Sequence, residues 1–596
     1  MNKEKLVAQI FLGLLLVTPL VFLVNLAKNP FLIQGVLLNC GISLVMLVLL
    51  MLSFKDGMRL PASPLDLFWS GWLALAFLSL AGAAWHNPQG IKAVFFMGMD
   101  NLLFLVLNCV LVFYLAFYLA RSEFFKTAFT RVIFIVTFLA CVYGLLQYFG
   151  VEPFFPKPID YFQGRVTSTF GNPAFLASFL VLAIPVILVN WLAATGIKLK
   201  AVLGFLLLLA VTTLVATSAR SAWLGITVSI AVLMIYLLQL GLKKQTGMIL
   251  KILAVVLLLA AGTVLLSSKK ELLLERGTAS FNPMGMGTSL NQRFLMWSCA
   301  GEMFIKHPLL GQGWGLFELF YPSYQASYLL NPAVAPLRTH ANHAHNEILQ
   351  VAAELGIFGL LLGLYFLRIL FKRTNLVLRA ETLPADKLLA VAVFAGLLGM
   401  ITDSLFNVSL HFVSPALFFW SGVGLIMGLG LTGESVQNIS FSSWASKMTW
   451  LVTFAVFMMI IGYNVLKMTA SLGHFRAMRY LAVSMQADLP ETQRKTLLAA
   501  EVDKLEKAFA IFPFNIDIAY DLANAYYRQE RLLEAESTYQ EALEINFGYE
   551  EIYVNYGITE LVLGHLPAAR AAFEKALALN PNSTMAKDSL AQLKTP

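Results

Sequence analysis

The sequence predicts an all-α protein: a polytopic transmembrane helical bundle followed by a short array of helical hairpins. Two observations point there. Of the 596 residues, 58% are hydrophobic and only 13% are charged, with a mean hydropathy of +0.73. Apolar runs of about 20 residues recur along most of the chain, each long enough to cross a bilayer as a helix. From about residue 474 the composition turns charged, Ala-rich and Tyr-rich, and it repeats. The formal charge of +8 does not indicate nucleic acid, because the basic residues sit in short loops between apolar runs, where they set topology. Cys40, Cys109, Cys141 and Cys299 are widely spaced in apolar or helical contexts and read as buried small hydrophobes.

Apolar windows place spans near 6–28, 32–53, 64–85, 98–120, 128–149, 172–193, 199–217, 221–241 and 248–267, then near 347–371, 387–407, 413–432 and 448–468. That is about 13, within a range of about 12–14. The first run is too long for a signal peptide and lacks a small-residue cleavage site, so it reads as the first span. Region 91–120 is long enough to hold an extra interfacial helix. The inside loops carry pairs such as Lys55 with Arg59, Arg121 with Lys126, and Lys243 with Lys244. This bias puts the N-terminus in the cytoplasm and the long loop at about 268–345 outside. The expected division is a transmembrane domain over 1–470 and a repeat domain over 474–596. Thirteen spans place the repeat domain outside as well, and one span more or fewer moves it to the other side.

Within the tail, Ala508, Ala542 and Ala576 recur at a constant interval, as do Pro513, Phe547 and Pro581. Leu522, Ala523, Tyr526, Ala535, Tyr539 and Ala542 fall at tetratricopeptide signature positions, and Gly557, Ala569, Phe573, Ala576 and Pro581 do so again. Small residues there let the two helices of a hairpin approach, and aromatics fill the gap to the next hairpin. The tail therefore resembles two full tetratricopeptide units preceded by a partial helix pair. Such a module packs or assembles and specifies no chemistry by itself.

Chemistry is expected where polar residues are costly yet present. In Thr217-Ser218-Ala219-Arg220-Ser221, Arg220 sits at headgroup depth, either as an interfacial anchor or as a phosphate ligand suited to paired oxygens. In the loop, Arg293, Trp297, Gly301 and Phe304 share one helical face, and Pro308 then ends that helix before a glycine-rich turn. That helix reads either as an amphipathic surface helix, with Arg293 a surface charge, or as part of a site. The stretch from Arg338 to Glu347 holds His340, His343 and His345. No carboxylate cluster completes a metal ligand set there, so no metal is expected. His345, nearest the membrane, is the natural general base toward a lipid-anchored substrate.

His345-Asn346, nine residues, Gly356, two residues and Gly359 resemble the signature of bacterial O-antigen ligases. The stretch from Arg165 to Asn172-Pro173, the Ser218-Ala219-Arg220 turn, Arg293 with Trp297, the His307-Pro308-Leu-Leu-Gly-Gln-Gly turn and the long loop fit the same family. Together they cover roughly residues 90–430. The resemblance implies a metal-independent, inverting glycosyltransferase of the bacterial cytoplasmic (inner) membrane. It would move a preassembled glycan from an undecaprenyl diphosphate carrier to an acceptor hydroxyl at the outer face, with no cofactor. It further implies Arg220 and Arg293 on the diphosphate and His345 as base. Arg165, Asn172, Trp297, Arg338, His343, Asn346 and Glu347 are secondary, substrate-binding candidates. Asp403 and His411 read as bundle-interior polar residues with no assigned role.

The implied partners are the lipid-linked donor, a lipid, glycan or protein acceptor, the surrounding lipids and a protein at the repeats, with no nucleic acid. O-antigen or exopolysaccharide polymerases and protein O-oligosaccharyltransferases share these motifs. The repeat tail departs from the simplest ligases. A transporter or flippase would show repeated halves and mid-membrane charges, and a repeat scaffold would leave the histidine signature unexplained.

Overall fold

The computed structural model describes residues 3–593, apart from 24–25, 27–28, 55–57, 155–161, 163, 266–288, 431–435 and 440–442. Lys55 and the first part of the long loop, 268–288, thus lie outside the described residues. The chain is all-α, save for one antiparallel ribbon that pairs Met58–Pro61 with Val436–Ile439. Its bundle helices are α1 (Lys3–Val17), α2 (Phe31–Ser53), α3 (Asp66–His86), α4 (Ile91–Phe104), α5 (Leu111–Leu119), α6 (Glu123–Tyr148), α7 (Pro173–Ala193), α8 (Ile197–Ala216), α9 (Arg220–Gln239) and α10 (Lys243–Leu265). Two loop helices follow, α11 (Ser289–Lys306) and α12 (Phe317–Leu329). The bundle resumes with α13 (Glu347–Arg379), α14 (Pro384–Asp403), α15 (Val413–Gly428) and α16 (Trp444–Ser484). The tail adds α17 (Glu491–Ile511), α18 (Ile516–Arg528), α19 (Leu532–Ile545), α20 (Glu550–Leu563), α21 (Leu566–Leu579) and α22 (Thr584–Gln592).

Every expected span overlaps a helix, although the first, near 6–28, is α-helical only to Val17, and ten helices are long and apolar enough to cross a membrane among the described residues. The stretch over 91–120 holds no separate interfacial helix: α4 runs through a π-helical turn at Leu105–Val110 into α5. That turn carries buried Asn108, which donates to Asn39 at 2.9 Å, and Asn39 in turn donates to Asn464 on α16 at 3.0 Å. Amide pairs of this kind join helices where lipid offers no hydrogen bonds. At the opposite end of the bundle from the histidine stretch, Lys126 pairs with Asp386 at 2.7 Å. There too the Arg373 guanidinium donates to the carbonyls of Met427 and Leu429, closing the C-terminus of α15.

α16 runs without a break from the bundle into the tail. The boundary expected at 470–474 falls inside this one helix, whose end packs against α17 as the first hairpin. At 1.5 Å per residue its 41 residues span about 60 Å, twice the apolar thickness of a bilayer. The hairpins α18/α19 and α20/α21 then stack on it. Ala523, Ala535, Ala542, Ala569 and Ala576 are fully buried between their helices. A side chain at Gly557 would meet the Phe573 ring at 2.7 Å, which is why the hairpin needs a glycine there.

The repeat domain folds back onto the long loop and the N-terminal end of α4. Phe514 stacks on Phe96 at 4.1 Å, and Phe547 meets Phe320. Loop and repeat domain therefore occupy the same end of the bundle. The four helices α13–α16 connect them.

Candidate functional site

Three loops meet at this end, and each holds its shape by backbone strain. Ser168, Ser218 and His345 adopt φ of +52°, +52° and +53°, a left-handed conformation that costs a non-glycine residue about 1–3 kcal/mol. Among the described non-glycine residues only Glu530 shares it. Ser168, Ser218 and His345 each lie in one of the family-like motifs: the stretch from Arg165 to Asn172, the Ser218-Ala219-Arg220 turn and the histidine signature. The first two motifs are joined directly, because Arg165 Nε donates to the Thr217 carbonyl at 2.8 Å. Asn172 caps α7 by accepting from the Ala174 amide, and Pro173 supplies the first helical position. Arg220 opens α9 with an exposed side chain, so its charge and the helix N-terminus face the same space.

The histidine signature has a tertiary explanation. Asn346 caps α13 by accepting from the Leu349 amide at 3.0 Å, which anchors His345 just before the helix. Within α13, Gly356 breaks the helix at φ +63°, ψ −156°. There the turn after α11 docks on the exposed backbone. The Gln312 amide donates to the Ala353 carbonyl at 2.7 Å, and the Ile357 amide to the Pro308 carbonyl at 2.8 Å. A side chain on Gly356 would collide with the Leu309 carbonyl at 2.4 Å, and one on Gly311 with the Glu354 backbone. The two glycines permit this backbone contact, and the contact fixes α11, with Arg293, beside His345.

Arg293 lies largely buried on α11. Among the described residues its guanidinium makes no hydrogen bond or ion pair, yet it lies within electrostatic reach of Arg220, Asp403 and His345. Burial and the like charge of Arg220 pull its pKa down, with Asp403 opposing them. Trp297, one turn on, packs against Phe406 at 6.0 Å, and its buried indole N–H meets no acceptor among the described residues. The Nδ1 atoms of His343 and His345 and one oxygen of fully buried Asp403 likewise meet no hydrogen-bond partner among them. The other Asp403 oxygen accepts from Asn407. Buried polar atoms are almost always satisfied, so this group of orphans makes the cluster the candidate site.

Burial, Arg293 and His411 together push His345 down to about 4, so its imidazole is neutral near pH 7. His343, buried against His411 at a ring distance of 4.4 Å, is also held low by burial first and by the neighbouring imidazoles second. His411 goes the other way. Burial opposes its charge, but the Glu347 carboxylate at 3.1 Å outweighs that and raises its pKa.

The structure therefore gathers Arg220, Arg293, Trp297, His343, His345 and Glu347, together with Asp403 and His411, to which sequence reading gave no role. The signal for these two was a charged residue at the end of an apolar helix. Asn172 and Asn346 serve as helix caps, and Arg165 ties two loops. Arg338 turns away from the cluster toward the repeat domain. Among the described residues, the group whose ligand atoms converge closely enough for a metal ion is Glu536, Glu560 and His565, in the repeat domain and away from this cluster.

Residues 205–364, which include Arg220, Arg293 and His345, match the family model described as O-antigen ligase. Residues 516–549, the hairpin α18/α19, match a tetratricopeptide repeat. The chain thus carries both features that its motifs resemble. No curated protein matches it. Among solved structures, the first tetratricopeptide domain of Spaghetti (RPAP3) bound to an HSP90 peptide, and that of human RPAP3, are each 22% identical. Each covers 21% of this chain and 91% of its own, with a TM-score of 0.19. The APC/C hetero-tetramer Cut9-Hcn1 is 10% identical over 87% of this chain and 99% of its own, at the same TM-score. Scores of that size carry no argument about this chain.

Proposed function

We propose that this chain, with its O-antigen ligase segment, transfers a preassembled glycan from a lipid diphosphate carrier to an acceptor hydroxyl. The reaction takes place at the end of the bundle where the strained loops meet, which in this reading is the outer face of the bacterial cytoplasmic membrane. The observation that carries the reading is Arg293, largely buried and without an ion-pair partner among the described residues, set between Arg220 and His345. A diphosphate supplies the missing counter-charge. Its phosphates bind Arg220, Arg293 and the N-terminus of α9, and these groups stabilise the charge that builds as the sugar–phosphate bond breaks. The acceptor oxygen attacks the anomeric carbon from the opposite side, inverting it, and gives its proton to His345. The lipid diphosphate leaves. Two arginines supply the cationic charge that phosphoryl leaving groups require, so a metal ion is not needed in this scheme.

Donor binding also prepares the base. The positive charge of Arg293 helps depress His345, so an anion bound to Arg293 relieves that depression and raises the basicity of His345 when substrate is present. The test is transfer by purified protein in liposomes, with EDTA, from a lipid-diphosphate-linked oligosaccharide. The acceptors are lipid A–core, a second donor molecule and an exported protein. Transfer lost in folded His345→Ala and Arg293→Ala variants supports the reading, and the productive acceptor names the subclass. Full transfer by His345→Ala overturns the role of that histidine.

A further inference from the structure

Residues 338–346 form a strap that carries His343 and His345 and is tied at both ends. At its C-terminal end, Asn346 caps α13, the Ala344 amide donates to Gln350 at 2.6 Å, and the Glu347 amide donates to the Ser404 carbonyl. At its N-terminal end, Gln325 of α12 donates to the Thr339 carbonyl at 3.0 Å, and the other side-chain ties come from the repeat domain. Arg338 Nη2 contacts Glu550 at 2.7 Å and Glu551 at 2.9 Å, while His340 meets Glu551 at 3.1 Å and stacks on Tyr549. Burial works against the Glu551 charge, yet His340 and Arg338 hold that carboxyl down to about 2, so Glu551 stays ionised toward Arg338 at any physiological pH.

We propose that the repeat domain is a built-in positioning element for this strap: Glu550 and Glu551, acting through Arg338 and His340, hold it in the conformation that presents His345 to the donor. The physical need is explicit. His345 sits at φ +53°, a conformation that persists only where the surroundings over-determine it. Without the repeat-domain ties, the Gln325–Thr339 bond is the side-chain tie left at the N-terminal end, and the strap loosens around it. Glu550 is itself fixed by Asn580 at 3.1 Å, so the clamp rests on the packed core of the last full hairpin. Glu550, Glu551 and Arg338 are positioning residues, because they act through the strap. The inference rests on the proposed role of His345, but its first test does not.

That test is hydrogen–deuterium exchange of the full-length protein in liposomes, read on peptides covering 338–346. Four proteins are compared: wild type, Glu550→Gln with Glu551→Gln, the swap Arg338→Glu with Glu551→Arg, and Glu544→Gln. The last removes the exposed Lys92–Glu544 pair, another contact of the same domain that does not touch the strap. The double glutamine variant should speed exchange in the strap by about tenfold, because its ties to the repeat domain are weakened. It should lower kcat about tenfold to a hundredfold and leave the donor KM within about twofold, since misplacing a reacting group costs rate rather than binding. The swap should recover part of both effects, and Glu544→Gln should change neither. Unchanged strap exchange in the double variant overturns the proposal even if the protein transfers nothing to any acceptor. A raised KM with unchanged kcat also overturns it, by making Arg338 and its neighbours part of donor binding.

Discussion

Two arginines flank the same strap and differ in every respect that matters. Arg338 is held by two carboxylates of the repeat domain, whereas Arg293 has no hydrogen-bonding or ion-pair partner among the described residues. A guanidinium is rarely buried without a partner, because desolvation costs several kcal/mol that a counter-ion must offset. Where the protein supplies the counter-ions, as at Arg338, the charge serves architecture. At Arg293, where the described residues supply none, the proposed donor diphosphate would be the counter-ion. The sequence ranks Arg293 with the diphosphate and Arg338 among the secondary substrate-binding candidates, and it holds no sign that Arg338 meets the repeat domain.

The sharpest way to break the comparison is to remove the unmet charge. His345→Ala should lower transfer about 10²–10⁴-fold, the usual worth of a general base. Arg293→Ala should lower it about 10²–10³-fold through lost charge stabilisation. A single-turnover assay checks both, and near-wild-type rates would return Arg293 to the status of a surface charge. Gly356→Ala should be the most damaging change in the scaffold. Positive φ and a collision with the Leu309 carbonyl together cost about 2–4 kcal/mol, whereas Gly301→Ala, with open space around it, should be tolerated. Thermal unfolding in detergent, run side by side, checks that pair.

The pH dependence sharpens the contrast further. A base must be neutral, so rate rises with pH through the pKa of His345. The acid limb of kcat/KM, which reports free enzyme, should fall near pH 4, and that of kcat, which reports the donor complex, should lie higher. Coincident limbs would mean that Arg293 does not bind the donor charge. Smallest of all, Asn346→Ala should cost about 1 kcal/mol of stability as a lost cap. Its loss of rate should be modest beside that of His345→Ala.

Much of the fold was legible because a bilayer leaves few choices. A backbone crossing it must satisfy its own hydrogen bonds, so apolar length alone announces a helix, and each of the expected spans overlaps one. The repeats were legible for a similar reason: small residues recur wherever two helices touch, as Ala542 and Ala576 do. The continuity of α16 was not legible, since composition changes at 470–474 while the helix continues. Nor was the work of Asn172, Asn346 and Arg338, because a polar residue near a site reads the same whether it faces a ligand, a helix end or another domain.

The sequence by itself determined the elements, their order and the three motifs, because hydropathy, periodicity and glycine spacing are local properties. Tertiary structure alone decided that Gly311 meets the break at Gly356 and that Arg293 stands beside His345. It alone decided that Asp403 and His411 join them and that the repeat domain grips Arg338. Those are contacts between residues far apart in the chain, set by how close two backbones can come and by which charges are left unanswered. Neither quantity is written in any single stretch of sequence.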